Sequence, residues 1–132
     1  MKFQTLCIIA FTALSLSACT LSPKNQSTDP AAFVIEQHKD IDAEPKTKHN
    51  VAQLLKHGDY CDIEFTAYLH TGTATEHWIF KDERLLSAFT LIDTEVQKKQ
   101  IIFDPSQEHP QANFKALKSN FSNENLKQCY FK

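Results

Sequence analysis

The sequence predicts an α+β domain, a four- or five-stranded antiparallel sheet packed with two main helices. Three observations carry that prediction. Residues 60–70 alternate apolar and polar side chains without a break, the period of a strand with one buried face. Phe114, Leu117 and Phe121 recur at three and four residues, the period of a helix lying on a core. Between these segments, apolar runs are separated by short polar stretches near Gly72, Asp82 and Asp93, the punctuation of successive hairpins.

At the start of the chain, Lys2 precedes an apolar run from Leu6 to Leu14. A bilayer span needs about 20 apolar residues, so this run is too short to cross and suits the h-region of a secretory signal. The residues that follow, Leu16-Ser17-Ala18-Cys19, resemble the lipobox of bacterial lipoproteins. The resemblance covers the first 19 residues only. It implies that the signal, residues 1–18, is removed, and that Cys19 is then acylated on its thiol and its new amino group. It also implies a cell-envelope location, with no cofactor beyond the covalent lipid. Thr20, where some members of the class carry aspartate, implies sorting to the outer membrane with the domain hanging in the periplasm.

The signal holds one Lys and no acidic residue, so its loss leaves 13 Lys and Arg against 16 Asp and Glu, a formal charge of -3. That balance argues against a nucleic-acid partner, which calls for a strongly basic face. Of the four cysteines, Cys7 leaves with the signal and Cys19 takes the lipid. Cys61 and Cys129 are left as a pair, in the oxidising compartment to which the resemblance assigns them. One disulfide is therefore expected, stabilising the fold by roughly 4 kcal/mol on chain-entropy grounds.

Residues 19–46 are rich in Ser, Thr, Asn, Gln, Asp and Lys and contain Pro23, Pro30 and Pro45. This composition reads as the lipidated cysteine and a flexible tether. The Asp29-Pro30 pair before Ala31 to Ile35 is the one island suited to a short helix. A single globular domain then spans residues 47–132. Its first element, residues 47–58, places Val51, Leu54 and Leu55 on one helical face between a capping Thr47 and a terminating Gly58, and predicts a short amphipathic helix.

The strand over 60–70 comes next. Gly72 at the first central position of a type II′ turn would fold it onto residues 77–81. That register sets Ala67 against Trp78 and Phe65 against Phe80 on the core face. On the other face it sets Tyr68 against His77 and Glu64 against Lys81. Residues 85–92 are apolar on both faces, which suggests a central strand covered on both sides. Residues 98–104 carry Lys98 and Lys99, suited to an edge strand, and Pro105 ends them. A helix is predicted over 110–121 with Pro110 in its first turn. Residues 126–131 fit a strand or a helix. A strand is preferred because it brings Cys129 beside Cys61.

Chemistry is harder to find. His70, His77 and Glu76 cluster on one hairpin after Asp62 and Glu64, but too few of them point the same way to bind a metal, and none is predicted. There is no Gly-rich phosphate loop and no G-x-S-x-G elbow, and no catalytic residue is assigned. The informative feature is the sheet's second face. Tyr68, His77 and Ile79 give it more apolar area than a solvated sheet normally carries, and they are the candidate partner-binding residues. The expected function is a non-enzymatic accessory module that docks on an outer-membrane assembly. The alternative is an inhibitor or immunity protein for a hydrolase reaching the periplasm, and a small envelope enzyme comes third.

Overall fold

A computed structural model describes residues 32–132. The signal, the lipobox, Cys19 and the tether as far as Ala31 lie outside the described residues. The remainder is α+β, with six strands followed by two short helices. The strands are β1 (Phe33–Lys39), β2 (Asn50–Lys56), β3 (Cys61–Leu69), β4 (Gly72–Lys81), β5 (Arg84–Thr94) and β6 (Lys98–Phe103). They form one antiparallel meander in which each strand pairs with the next in sequence. Helix α1 (Glu108–Lys118) and the single turn α2 (Asn123–Leu126) follow, and a 3-10 turn, Lys127–Cys129, carries the second disulfide cysteine.

The predicted count of four or five strands becomes six because two segments read otherwise are strands. Residues 50–56 form β2 rather than an amphipathic helix. Ala52 and Leu54 are buried while Val51, Gln53 and Leu55 face the other way, so period two fits as well as period three to four. Seven consecutive pairs with β3, from Asn50–Ala67 to Lys56–Cys61, override the helix-forming Ala, Gln, Leu and Lys of the segment. Residues 33–39, assigned to the tether, form β1 along the outer side of β2. The described sheet therefore includes residues 33–39, which the composition gave to the tether, and no helix includes Phe33 to Ile35.

The Glu36 carboxylate fixes β1 to the C-terminal segment. It accepts hydrogen bonds from the Ser122 amide (3.0 Å), the Ser122 hydroxyl (2.9 Å), Asn125 Nδ2 (2.9 Å) and His38 Nε2 (2.7 Å). The connection after β1 is held by buried Asn50. Its side chain accepts from the Ile41 amide and donates to the Ile41 carbonyl, both at 2.9 Å.

The strand over 60–70 is present as β3, and its hairpin turns two residues earlier than predicted, with a loop of the same length. Leu69 pairs with Gly72 and Ala67 with Ala74, which leaves His70 and Thr71 as the turn. The register moves by four residues, so His77 opposes Glu64 and Trp78 opposes Ile63. Four is an even number, so every side chain keeps its predicted face. The expected Glu64–Lys81 pair is not formed, and Lys81 lies 3.6 Å from Asp59 instead. Gly72 is needed for its neighbour rather than for the turn. It has φ +150, and a Cβ there would sit 2.0 Å from the Asp93 carbonyl oxygen on β5.

Both helices lie on one face of the sheet. Phe114 and Leu117 of α1, then Phe121, Leu126 and Cys129, close over Leu54, Ile63, Phe65, Trp78 and Phe80. The Phe114 ring centroid is 5.2 Å from that of Phe80, and Phe103 stacks on Trp78 at 5.8 Å. Residues 126–131, predicted as strand, continue from α2 into the 3-10 turn. Cys129 still reaches Cys61, with Cα atoms 5.7 Å apart in the expected disulfide. The buried apolar core, disulfide included, lies between Ala52 and Cys129, so the described unit carries its own core. As predicted, β6 is an edge strand. β5 lies inside the sheet but is covered on one face only, which leaves Leu91 41% exposed.

Candidate functional site

The face of the sheet away from the helices is assembled by the pleat. The register aligns Val34 and Gln37 of β1 with Leu55 and Gln53 of β2, and these with Asp62 and Glu64 of β3. It continues through His77 and Ile79 of β4 and Phe89 and Ser87 of β5 to Ile102 of β6. Six strands about 4.8 Å apart and about seven residues tall span roughly 25 Å by 25 Å. That approaches the ~800 Å2 each partner gives to a standard protein interface. Apolar side chains stand open across it: Tyr68 is 50% exposed, Val34 49% and Ile102 74%.

Near the middle of this face a histidine and a carboxylate are locked together. Asp62 is buried, and one carboxylate oxygen accepts the His77 Nδ1 proton at 2.8 Å while the other accepts the Trp78 amide at 3.1 Å. The His77 ring stacks on Phe89 with centroids 4.8 Å apart. With Nδ1 donating to Asp62, the neutral ring leaves Nε2 as an acceptor, and Nε2 has no hydrogen bond among the described residues. The Asp62 hydrogen bond raises the His77 pKa above the usual histidine value. Burial opposes that rise, and the negative charges of Asp62 and Glu64 add to it. On the opposite face, burial raises the pKa of Glu76, against the hydrogen bond it accepts from Trp78 Nε1 at 3.0 Å.

The three predicted partner-binding residues share this face but do not converge. Tyr68 opposes Thr73 near one end of the hairpin, Ile79 opposes Asp62 towards the other, and His77 lies between. The four-residue shift puts Tyr68 and His77 roughly 13 Å apart along the sheet instead of side by side. Sequence reasoning missed Asp62 as the partner of His77, and it missed Phe89 beneath the ring. The alternation of 60–70 had placed Asp62 on the right face, and the register alone hid the contact. Val34, Leu55 and Ile102 were missed with β1 and β2, or because β6 was read only as an edge.

A separate hollow lies on the helix side. A groove of about 700 Å3 between α1, α2 and the β4–β5 turn is lined by Phe114, Phe121, Leu126, Lys115 and Lys118. Its apolar floor is core side chain already packed on the sheet, so it marks the seam of the helices rather than a separate site. Among the described residues, no three His, Cys, Asp or Glu are grouped to hold a metal ion. No described helix is long and apolar enough to cross a membrane. Comparison with protein-family models, with curated proteins and with solved structures finds no match.

Proposed function

We propose that this chain is a lipid-anchored envelope lipoprotein whose domain docks a protein partner on the open sheet face, as a non-enzymatic accessory module of an outer-membrane assembly. One observation carries the reading. Both helices lie on a single face, and the other face keeps half-exposed apolar side chains around the His77–Asp62 pair. An uncovered apolar area of this size on a small domain is the usual mark of an interaction surface. The hairpin turns at His70-Thr71 and Asp82-Glu83 are two residues long. Such turns supply no finger for a catalytic cleft, and the longer acidic connection over 40–49 is tied back at Ile41 to buried Asn50, which favours a docking module over the inhibitor or immunity reading.

The test separates binding from folding. Tyr68→Ala with Ile79→Ser is expected to abolish photo-crosslinking, in intact cells, of a probe at position 102 to its envelope partner while the thermal midpoint stays within a few degrees. Retained crosslinking would exclude this face. The anchor is tested separately: Cys19→Ala is expected to leave the chain unprocessed, and normal maturation of that variant would remove the lipoprotein reading.

A further inference from the structure

We propose that the protein docked on the open sheet face brings a lysine or arginine side chain to Glu64, at the centre of that face. The inference rests on the docking function proposed above and adds the chemistry that the occupant carries. One row of the face crosses all six strands, through Gln37, Gln53, Glu64, His77, Phe89 and Ile102. Glu64 therefore sits between Gln53 and His77, with Asp62 and Thr66 next to it along β3.

The polar side chains around Glu64 are all paired with one another. Gln53 Nε2 donates to Gln37 Oε1 at 2.6 Å, His77 Nδ1 donates to Asp62 at 2.8 Å, and the Thr66 and Thr75 hydroxyls are 3.2 Å apart. Both cross-strand neighbours of Glu64 thus turn their donors away from it. Glu64 is half-buried, yet it has no hydrogen bond or ion pair among the described residues. The cations on and around this face stand elsewhere. Lys98 is bonded to Asp93 and Lys81 to Asp59. Lys39 lies two strands away on β1, and Arg84 lies at the β4–β5 turn.

While the face is open, water solvates this carboxylate. An apolar surface closing over it removes that water, and a covered carboxylate without a counter-charge opposes association. The occupant therefore carries a cation at this point, with apolar side chains around it to meet Leu55, Ile79 and Phe89. His77 Nε2 supplies a second acceptor beside the first. Glu64 and His77 are directly opposed, so their Cβ atoms lie about 5 Å apart. An ammonium or guanidinium has donors enough for both. A partner with an acid at the same point is repelled, so Glu64 selects among apolar surfaces of similar shape.

The experiment uses the full-length protein in intact cells, with the photo-crosslinking probe at position 102 in the same row as Glu64. Glu64→Gln is expected to lower the crosslink yield to the envelope partner by at least about tenfold. Glu64→Arg is expected to abolish it, with the thermal midpoint of each variant within a few degrees of the parent's. Should Glu64→Arg fail to fold, the nearly isosteric Glu64→Gln carries the comparison. Each Lys or Arg near the crosslinked site of the captured partner is then changed to Glu, and one such change is expected to restore the crosslink to Glu64→Arg. If Tyr68→Ala with Ile79→Ser abolishes the crosslink but Glu64→Gln leaves it intact, the face docks without a cation and the inference is overturned. A loss with Glu64→Arg that no partner change restores overturns it as well. If neither set of variants lowers the yield, or the parent gives no crosslink, the docking function itself is lost.

Discussion

The two faces of the sheet are built from the same six strands, residue by alternate residue, yet they have different physical fates. One presents Leu54, Ile63, Phe65, Trp78 and Phe80 to the helices, and all five are buried. The other presents Leu55, Tyr68, Ile79, Phe89 and Ile102, which are also apolar, with no helix above them. What distinguishes the faces is where their polar side chains find partners. The open face places Gln53, Glu64, Thr66, Thr75 and Ser87 between its apolar side chains, so it stays compatible with water until something covers it. On the closed face the polar groups are bonded within the fold, Asn50 to Ile41, Glu36 to Ser122 and Asn125, and Glu76 to the Trp78 indole. An apolar pattern on a strand thus reports burial on the closed face and opportunity on the open one.

The largest expected effect comes from breaking the closed face. Trp78→Ala removes a fully buried ring and is expected to cost about 3–5 kcal/mol, enough to unfold the domain in a denaturant titration. Tyr68→Ala on the open face is expected to leave the same transition nearly in place. Equal losses would mean that the open face is core. Next is the staple. Cys61→Ser or Cys129→Ser opens a loop of 68 residues and is expected to cost about 4 kcal/mol. The double variant should be no worse than either single one by the same titration. Free thiols titrating at both positions in the native protein would contradict the disulfide.

A smaller effect tests how the closed face is kept shut at its edge. Desolvation raises the Glu36 pKa, but the hydrogen bonds from Asn125, His38 and Ser122 outweigh it and bring the value to about 2. A carboxylate lowered in the native state contributes stability above its unfolded value. That contribution is lost as the pH falls from about 4.5 towards about 2. Glu36→Gln is expected to cost about 1–2 kcal/mol at neutral pH and almost nothing at the acid end of that window, by urea unfolding across pH. The smallest effect is on the open face. The His77 pKa is raised, so its pairing with Asp62 stabilises the fold below about 6.5 and the contribution fades as pH rises through the native value. His77→Gln is expected to cost about 1 kcal/mol, more on the acidic side, where the charged ring is lost, than on the alkaline side. A loss that grows with pH would reverse the assignment.

How much of this was legible depended on range. The face of every residue in β3 and β4 could be read, because period two survives any even register error. The register itself could not, because the hairpin closes at His70-Thr71 and not at the glycine whose turn preference set the predicted pairing. Residues 50–56 misled because Val51, Leu54 and Leu55 share one helical face, whereas the strand buries Ala52 with Leu54 and turns Val51 and Leu55 to the other side, and pairing with β3 decided between them. Residues 33–39 misled by composition. Their Glu36 and His38 look solvated until Ser122 and Asn125, more than 80 residues away, arrive to bind the carboxylate. The second face was singled out through Tyr68, His77 and Ile79, but whether one of the chain's own helices would cover it was left open. Its centre, the Asp62–His77 pair stacked on Phe89, needed the true register.

The meander has a further consequence for how the protein comes into being. Every strand pairs with the one before it, so the sheet forms from contacts close in sequence, the kind that closes quickly. The helices that cover it are encoded last, after Phe103, and Cys129 waits for the final residues. Until the last quarter of the sequence has been made, the side bearing Trp78 and Phe80 has nothing to cover it. The final residues supply both that cover and the bond to Cys61 that holds it in place.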